Sequence, residues 1–443
     1  MRNRSIHSDI RNMLALASFA LVATSCSRSL PTAPASSEAV TPRGVSDPFA
    51  IQGLENQVVI TFAPGASVSE LATEFGASIV ASEAGERTVS LRPVAGQTAA
   101  DLMAQLQLDG RVITAEPNKW MEPAEARQQS FAFDDGFGSA ATFSEQPAAL
   151  KLNLGRAHEI ATGKGVKVAI IDTGADLMHP ALRHSIIGGW DFINNDAIAA
   201  DQKDYQDNDR DGRVDEAFGH GTHVAGIVHL VAPDAQLLIV RVLDADGRGD
   251  IVNVAAGVRW AVEQGAKVIN LSLGATERSD ALQDVLEDAE NAGVVITSTA
   301  GNWGMDNMVD FPGKSTHTLC VAALDNNNAG ASFSSYGSEI ELSAPGVAVR
   351  SPFPGGGYRL WSGTSMAAPF VAGAAALLAE KHPNWSLAET QIRLEDTAAN
   401  ITAVPPGASK NEFGKGALDV GAALAPDFAL NPVPGVDEDI RPR

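Results

Sequence analysis

Residues 149–425 predict an α/β fold with a doubly wound, mostly parallel sheet flanked by helices, and residues 54–121 predict a small ferredoxin-like α+β module ahead of it. Three observations carry this. Nearly continuous apolar runs at 166–171, 237–243, 268–273, 294–299 and 319–323 suit strands buried on both faces. Between two of them Ile251, Val254, Ala255, Val258, Ala261 and Val262 recur at helical spacing, and Gly265 follows as a stop. Upstream, strand signals at 58–62, 78–81, 88–91 and 112–115 alternate with helix signals at 68–75 and 99–108, giving strand-helix-strand-strand-helix-strand.

The 443 residues are 44% apolar and 19% charged, enough for a large core. A net charge of -22 repels phosphate backbones and anionic lipid, so nucleic-acid binding is excluded as a function class. The start reads as an export signal over residues 1–25. Arg2, Arg4 and Arg11 precede an apolar stretch at 13–23 that is too short to span a bilayer. The run Leu21-Val-Ala-Thr-Ser-Cys26 resembles a bacterial lipoprotein box with Cys26 as the lipidated residue; the alternative is an ordinary signal peptide. Cys320 is the other cysteine, so no disulfide is expected in the mature chain. Residues 26–53 read as a Ser/Pro-rich linker, 122–148 as a second, polar linker, and 426–443 as a Pro-rich, disordered tail.

Three segments carry chemistry. Val168-Ala-Ile-Ile-Asp172-Thr-Gly174 puts an Asp at the carboxyl end of a buried strand. Gly219-His220-Gly-Thr-His223-Val-Ala-Gly226 lets a helix start close to the sheet with an imidazole at its first turn. Gly363-Thr-Ser365-Met-Ala-Ala-Pro369 places a hydroxyl at a loop-to-helix junction. A Ser hydroxyl needs a base to take its proton and an acid to hold that base in one tautomer, and these segments supply all three groups. A lone Asp after a strand reads as a helix cap; the three together do not.

These segments resemble the subtilase family over roughly residues 149–425, in the Asp, His, Ser order that the family uses. The resemblance implies that Asp172 orients, that His220 is general base and then acid, and that Ser365 is the nucleophile of an endopeptidase working through an acyl-enzyme. It assigns His223 a structural place. It implies that Asn302, in Ser298-Thr-Ala-Gly-Asn302, completes the oxyanion hole. It lines the substrate cleft with Gly247, Gly249, Ser272, Leu273, Gly274, Thr299, Ala300, Gly301 and Asp310. Asp310-Phe-Pro-Gly313 resembles the family stretch that closes the floor of a side-chain pocket, and by that resemblance a carboxylate there implies a preference for Lys or Arg. The alternative is an Asp310 turned away, leaving that pocket apolar. Residues 54–121 resemble the family's inhibitory propeptide, with self-processing between 118 and 150. Partners are then peptide or protein substrates and the chain's own propeptide; a monomer is expected, exported from a bacterial cell.

Asp207-Asn-Asp209-Arg-Asp211-Gly212-Arg-Val-Asp215 matches the first half of a calcium loop, and Ca2+ is expected at Asp207, Asp209, Asp211 and Asp215. Phe218 stands at the twelfth place, so it is not a full EF-hand. A second calcium site of the family is not carried over, since Ala181 replaces a ligand Asp. Two other function classes are set aside. A lipase would need Gly-x-Ser-x-Gly around the nucleophile. An inactive peptide-binding scaffold of the same fold would not need an intact triad.

Overall fold

A computed structural model describes residues 54–81, 87–128 and 130–426. The expected export signal, Cys26 and most of the tail lie outside them.

The N-terminal module has a four-stranded antiparallel sheet in the order Ala77–Ala81, Thr88–Pro93, Val58–Phe62, Val112–Pro117. Helix Ala99–Leu106 starts at a capping box between Thr98 and Asp101, and helix Val68–Glu74 at Ser67, whose hydroxyl accepts from Glu70 N. Both helices bury one side against the sheet, where Ile60, Leu71, Leu91, Leu102 and Leu106 form a core. All five residues of Val58–Phe62 are buried. Alternate side chains on a strand face opposite ways, so this requires a second covered face. Val59 and Ala81 on that face join the cluster formed by Val254, Val258 and Leu282 of the larger domain.

The larger domain holds a seven-stranded sheet in the order 342–345, 319–324, 295–299, 268–271, 167–172, 236–241, 186–191, with every pairing parallel. Val168 and Ile170 point into the layer that contains helices His220–Val231 and Thr364–Lys381, and Ala169 and Ile171 into the layer of Ile251–Glu263 and Asp280–Asn291. Two strands of this sheet escaped the sequence pattern. Ile186–Asp191 is an edge strand broken by Gly188 and Gly189, bulged at its start and only half buried. Leu342–Pro345 is four residues ending in Pro.

The segment expected as a polar linker at 122–148 carries short helices, Ala124–Gln128 and Ala140–Ser144 among them. Some of its polar groups are tied to the larger domain. Asp135 receives a bidentate ion pair from Arg350, at 3.0 and 2.5 Å, and Gln146 hydrogen-bonds the Arg350 backbone in both directions.

Candidate active site

The three chemical segments meet at the carboxyl edge of the sheet. Asp172 ends strand Lys167–Asp172, His220 opens helix His220–Val231, and Ser365 lies in the first turn of Thr364–Lys381; all three are buried. Asp172 Oδ1 lies 2.8 Å from His220 Nδ1 and also accepts from Thr173 N at 2.7 Å. Gly221 lets the His220 helix approach this turn, since a Cβ there would collide with the Gly174 carbonyl. The His220 ring also meets Trp361 edge-on at 5.3 Å. His223 plays the structural part expected of it: its Nε2 lies 3.1 and 3.2 Å from the Val349 and Arg359 carbonyls. Burial, then the neighbouring His220, lower its pKa to about 3, so it stays neutral.

Asn302 follows strand Val295–Thr299. Its Oδ1 accepts from Thr364 N at 3.0 Å and from Thr364 Oγ1 at 2.9 Å. With that oxygen occupied twice, Nδ2 is left to face the same space as Ser365 N. Thr364 was not singled out in the sequence; a Thr just before the nucleophile is a common helix-start residue, and only the fold shows its task.

Ser272 was expected to line the substrate cleft. Its side chain instead points inward. Pro369 has no N–H to give the Ser365 carbonyl, and Ser272 Oγ donates there at 2.9 Å. Asn270 Nδ2 donates to Ser272 Oγ at 2.9 Å, and Thr297 donates to Asn270 Oδ1 at 3.1 Å. Thr299 similarly bonds Thr364 through their hydroxyls.

The cleft holds the chain itself. Trp120–Met121 pairs antiparallel with Gly249–Asp250, and Glu122 exchanges both backbone hydrogen bonds with Gly274, at 3.0 and 2.8 Å. Gly247 approaches Pro123, where an added Cβ would sit 3.0 Å from the proline ring. Glu125, from the stretch read as linker, is fully buried. Its Oε2 accepts from Ser365 Oγ at 2.5 Å and lies 3.5 Å from His220 Nε2. Its Oε1 accepts from Asn302 Nδ2 at 2.9 Å and from Ser365 N at 3.3 Å. Burial alone would lower the His220 pKa; Asp172 and then Glu125 outweigh it and push it up to about 10. Burial pushes Glu125 upward, yet His220, Ser365 and Asn302 together hold it below the usual carboxylate range. No sequence signal marked Glu125, one acid among alanines in a polar stretch.

The N-terminal module grips the larger domain separately. Glu116 Oε1 accepts from Ser279 Oγ at 2.6 Å and Ala281 N at 3.0 Å, so it caps helix Asp280–Asn291. Arg259 donates to Thr88 at 3.0 Å.

Asp310 is buried beside the cleft. Its Oδ1 accepts from Trp303 Nε1 at 3.0 Å, and a Cβ on Gly301 or Gly274 would run into its side chain. Asp207, Asp209 and Asp211 present carboxylate oxygens within 4.8 Å of one another. Asp215 does not join them; its Oδ1 accepts from Asp204 N and Tyr205 N at 2.9 and 3.0 Å. Leu273 and Ala300 are buried in apolar clusters behind the cleft.

A serine hydroxyl, a carboxylate-held imidazole and converging N–H donors beside an edge that accepts an extended peptide define a serine-peptidase type of centre. Residues 163–416 match the Subtilase family, and residues 50–118 match the fervidolysin N-terminal prodomain. The chain belongs to the Subtilase family. It is 40% identical over 274 residues to subtilisin NAT of Bacillus subtilis subsp. natto, a match covering 59% of this chain and 66% of that one. Against the subtilisin of Bacillus pumilus the identity is again 40%, covering 59% of this chain and 92% of the relative. The solved structure of fervidolysin from Fervidobacterium pennivorans, described as a keratinolytic enzyme related to subtilisin, superposes with a TM-score of 0.68 at 25% identity. That match covers 84% of this chain and 61% of fervidolysin.

Removing the Ser272 hydroxyl should leave the buried Ser365 carbonyl unpaired, at a cost of about 1–3 kcal/mol. Ser272→Ala compared in a Ser365→Ala background, which avoids self-digestion, should show a lower thermal midpoint. An unchanged midpoint would rule out this bond as a support of the Ser365 helix.

Proposed function

We propose that the chain is a serine endopeptidase, made as an exported precursor and cut by its own site. The observation that carries this reading is the 2.8 Å Asp172–His220 contact at the same sheet edge as Ser365 and Asn302. His220 takes the Ser365 proton as the hydroxyl oxygen attacks a peptide carbonyl. Asp172 holds the ring in the tautomer that leaves Nε2 free for this task. Asn302 Nδ2 and Ser365 N receive the oxyanion. His220 then protonates the leaving amine, and water hydrolyses the acyl-enzyme. An inactive scaffold finds no support in a site with every group present. Treatment of the purified protein with a fluorophosphonate probe, followed by mass spectrometry, tests this. Labelling of Ser365 and a mature N-terminus are expected in the wild type, with neither in Ser365→Ala, whose rate should fall by roughly 10⁴-fold or more. A Ser365→Ala chain that still matured without other proteases would exclude self-processing. In the uncut Ser365→Ala chain the same spectra report the proposed lipid on Cys26 as added mass that Cys26→Ser lacks; an uncut chain that starts beyond residue 26 and carries no lipid would mean ordinary secretion.

Calcium is proposed at Asp207, Asp209 and Asp211. The donor set fits: hard carboxylate oxygens converge around Gly212, which turns with φ +92. Burial and the Asp211 charge raise Asp209, a repulsion that a cation would relieve. A metal held only by the folded chain at 100 times its Kd adds about 2.7 kcal/mol of stability. A tight chelator should lower the thermal midpoint, calcium but not sodium should restore it, and a midpoint indifferent to chelation would exclude the site.

Asp310 supports a preference for Lys or Arg on the acyl side of the cut bond. A buried carboxylate beside Gly301 offers a cation about 4 kcal/mol at 4 Å and an effective dielectric near 20, of which desolvation offsets much. A ten- to thirtyfold preference is the order expected. Matched peptides carrying Arg or Phe decide it: a better Phe peptide, or an Arg/Phe ratio unaltered by Asp310→Asn, would show that this carboxylate does not read the substrate.

A further inference from the structure

A peptide bond is cut only when its carbonyl oxygen enters the oxyanion hole and the nucleophile can pass its proton to the imidazole. In this chain both places are taken by one side chain. Asn302 Nδ2 and Ser365 N, the two donors of the hole, converge on Glu125 Oε1, while Ser365 Oγ gives its hydrogen bond to Glu125 Oε2. The fit is close: a Cβ added to Gly363 would fall on this carboxylate, so only glycine there leaves room for it. A carboxylate suits a site built for an oxyanion, because it brings the charge that the donors await.

The backbone register says which bond lies under the nucleophile. Glu122 is paired antiparallel with Gly274. In an antiparallel ladder, a step of two residues forward on one strand meets a step of two back on the other. Continuing the pairing therefore sets Ala124 opposite Ser272. The Ser272 carbonyl oxygen lies 3.3 Å from Ser365 Oγ. Ala124 is thus the residue that an extended strand would present to the nucleophile, and Glu125 is the residue on the leaving side of its bond. In the structure the ladder stops short of this. The chain turns into Ala124–Gln128, with Ala126 N donating to the Pro123 carbonyl at 3.2 Å, and the turn swings the Glu125 side chain into the hole.

We propose that Glu125 is a built-in inhibitor whose carboxylate plugs the oxyanion hole, and that the Ala124–Glu125 bond is the one cleaved once it withdraws. The inference rests on the endopeptidase reading above. In the cut, Ser365 Oγ bonds to the Ala124 carbonyl carbon and the bond to the Glu125 nitrogen breaks. The hydroxyl proton passes through His220 to that nitrogen. Water then hydrolyses the ester, leaving the Ala124 carboxylate on the released module and a new amino terminus at Glu125.

The full-length chain tests this in time courses of wild type, Glu125→Ala and Glu125→Gln, each read by fluorophosphonate labelling and by intact mass. Wild-type precursor should resist the probe while the matured chain takes it. Glu125→Ala should convert about 10- to 100-fold faster, the range set by losing a charge-assisted bond, with Glu125→Gln between the two. The first released fragment should end at Ala124. Equal or slower conversion in both variants, or a first fragment with another end, overturns the proposal even if the matured chain is labelled. Should Glu125→Ala fail to fold, the isosteric Glu125→Gln decides by the same criterion. Absence of label on every form would instead overturn the endopeptidase reading, and this proposal with it.

Discussion

The hydrogen bond from Ser272 Oγ to the Ser365 carbonyl is the tie on which the site depends. Proline inside a helix removes the donor that would close the turn four residues back, and Pro369 does so to Ser365. A buried carbonyl without a partner would be costly, so the donor has to come from elsewhere. It comes from the residue just past strand Val268–Leu271, and the link therefore joins Ser365 to the sheet as well as to its own helix. The helix cannot drift, because every residue from Thr364 to Leu378 is buried and Gly373 sits directly against Val231 of the His220 helix. The helix that carries Ser365 and the helix that carries His220 are thus packed on one another, and their separation is a property of the core.

Electrostatics divides the same site into two states. Between Asp172 and Glu125 the imidazole of His220 is held as a cation at neutral pH despite its burial. A protonated base cannot accept the serine proton, so the carboxylate that fills the oxyanion hole also disables the base. Removal of Glu125 takes away one of the two carboxylates that hold the His220 pKa up. One side chain thereby acts on two of the parts that the reaction needs.

How far the sequence reveals this arrangement depends on how local each determinant is. Strands buried on both faces were legible because their apolar runs are uninterrupted; Ile186–Asp191 was hidden by Gly188, Gly189 and a half-exposed edge. The ferredoxin-like module was legible from its alternation of periods, and its order emerges as expected. Asp172, His220, Ser365 and Asn302 announce themselves through the small residues that flank them, which the close packing demands. Thr364, the inward turn of Ser272 and the place of Glu125 were not legible, for a shared reason. Each is decided by a partner far along the chain: Asn302 for Thr364, Ser365 for Ser272, and the whole cleft for Glu125. Asp215 shows the converse, a carboxylate at a ligand spacing that the fold spends on the turn at 204–205.

Glu116 and Glu125 solve one problem at two places. The larger domain exposes backbone N–H groups at the start of helix Asp280–Asn291 and at Ser365, and the N-terminal segment supplies a carboxylate to each. The two places differ in what remains when the segment leaves. Ser279 Oγ still accepts from Leu282 N at 3.1 Å, so the helix keeps its own cap and the domain needs no replacement there. At Ser365 no such internal acceptor stands by: Asn302 Oδ1 is itself taken by Thr364, and Nδ2 and Ser365 N are left facing the cleft. Loss of Glu116 therefore costs the fold little, whereas loss of Glu125 exposes donors whose only remaining partners are water and the carbonyl of a bound peptide.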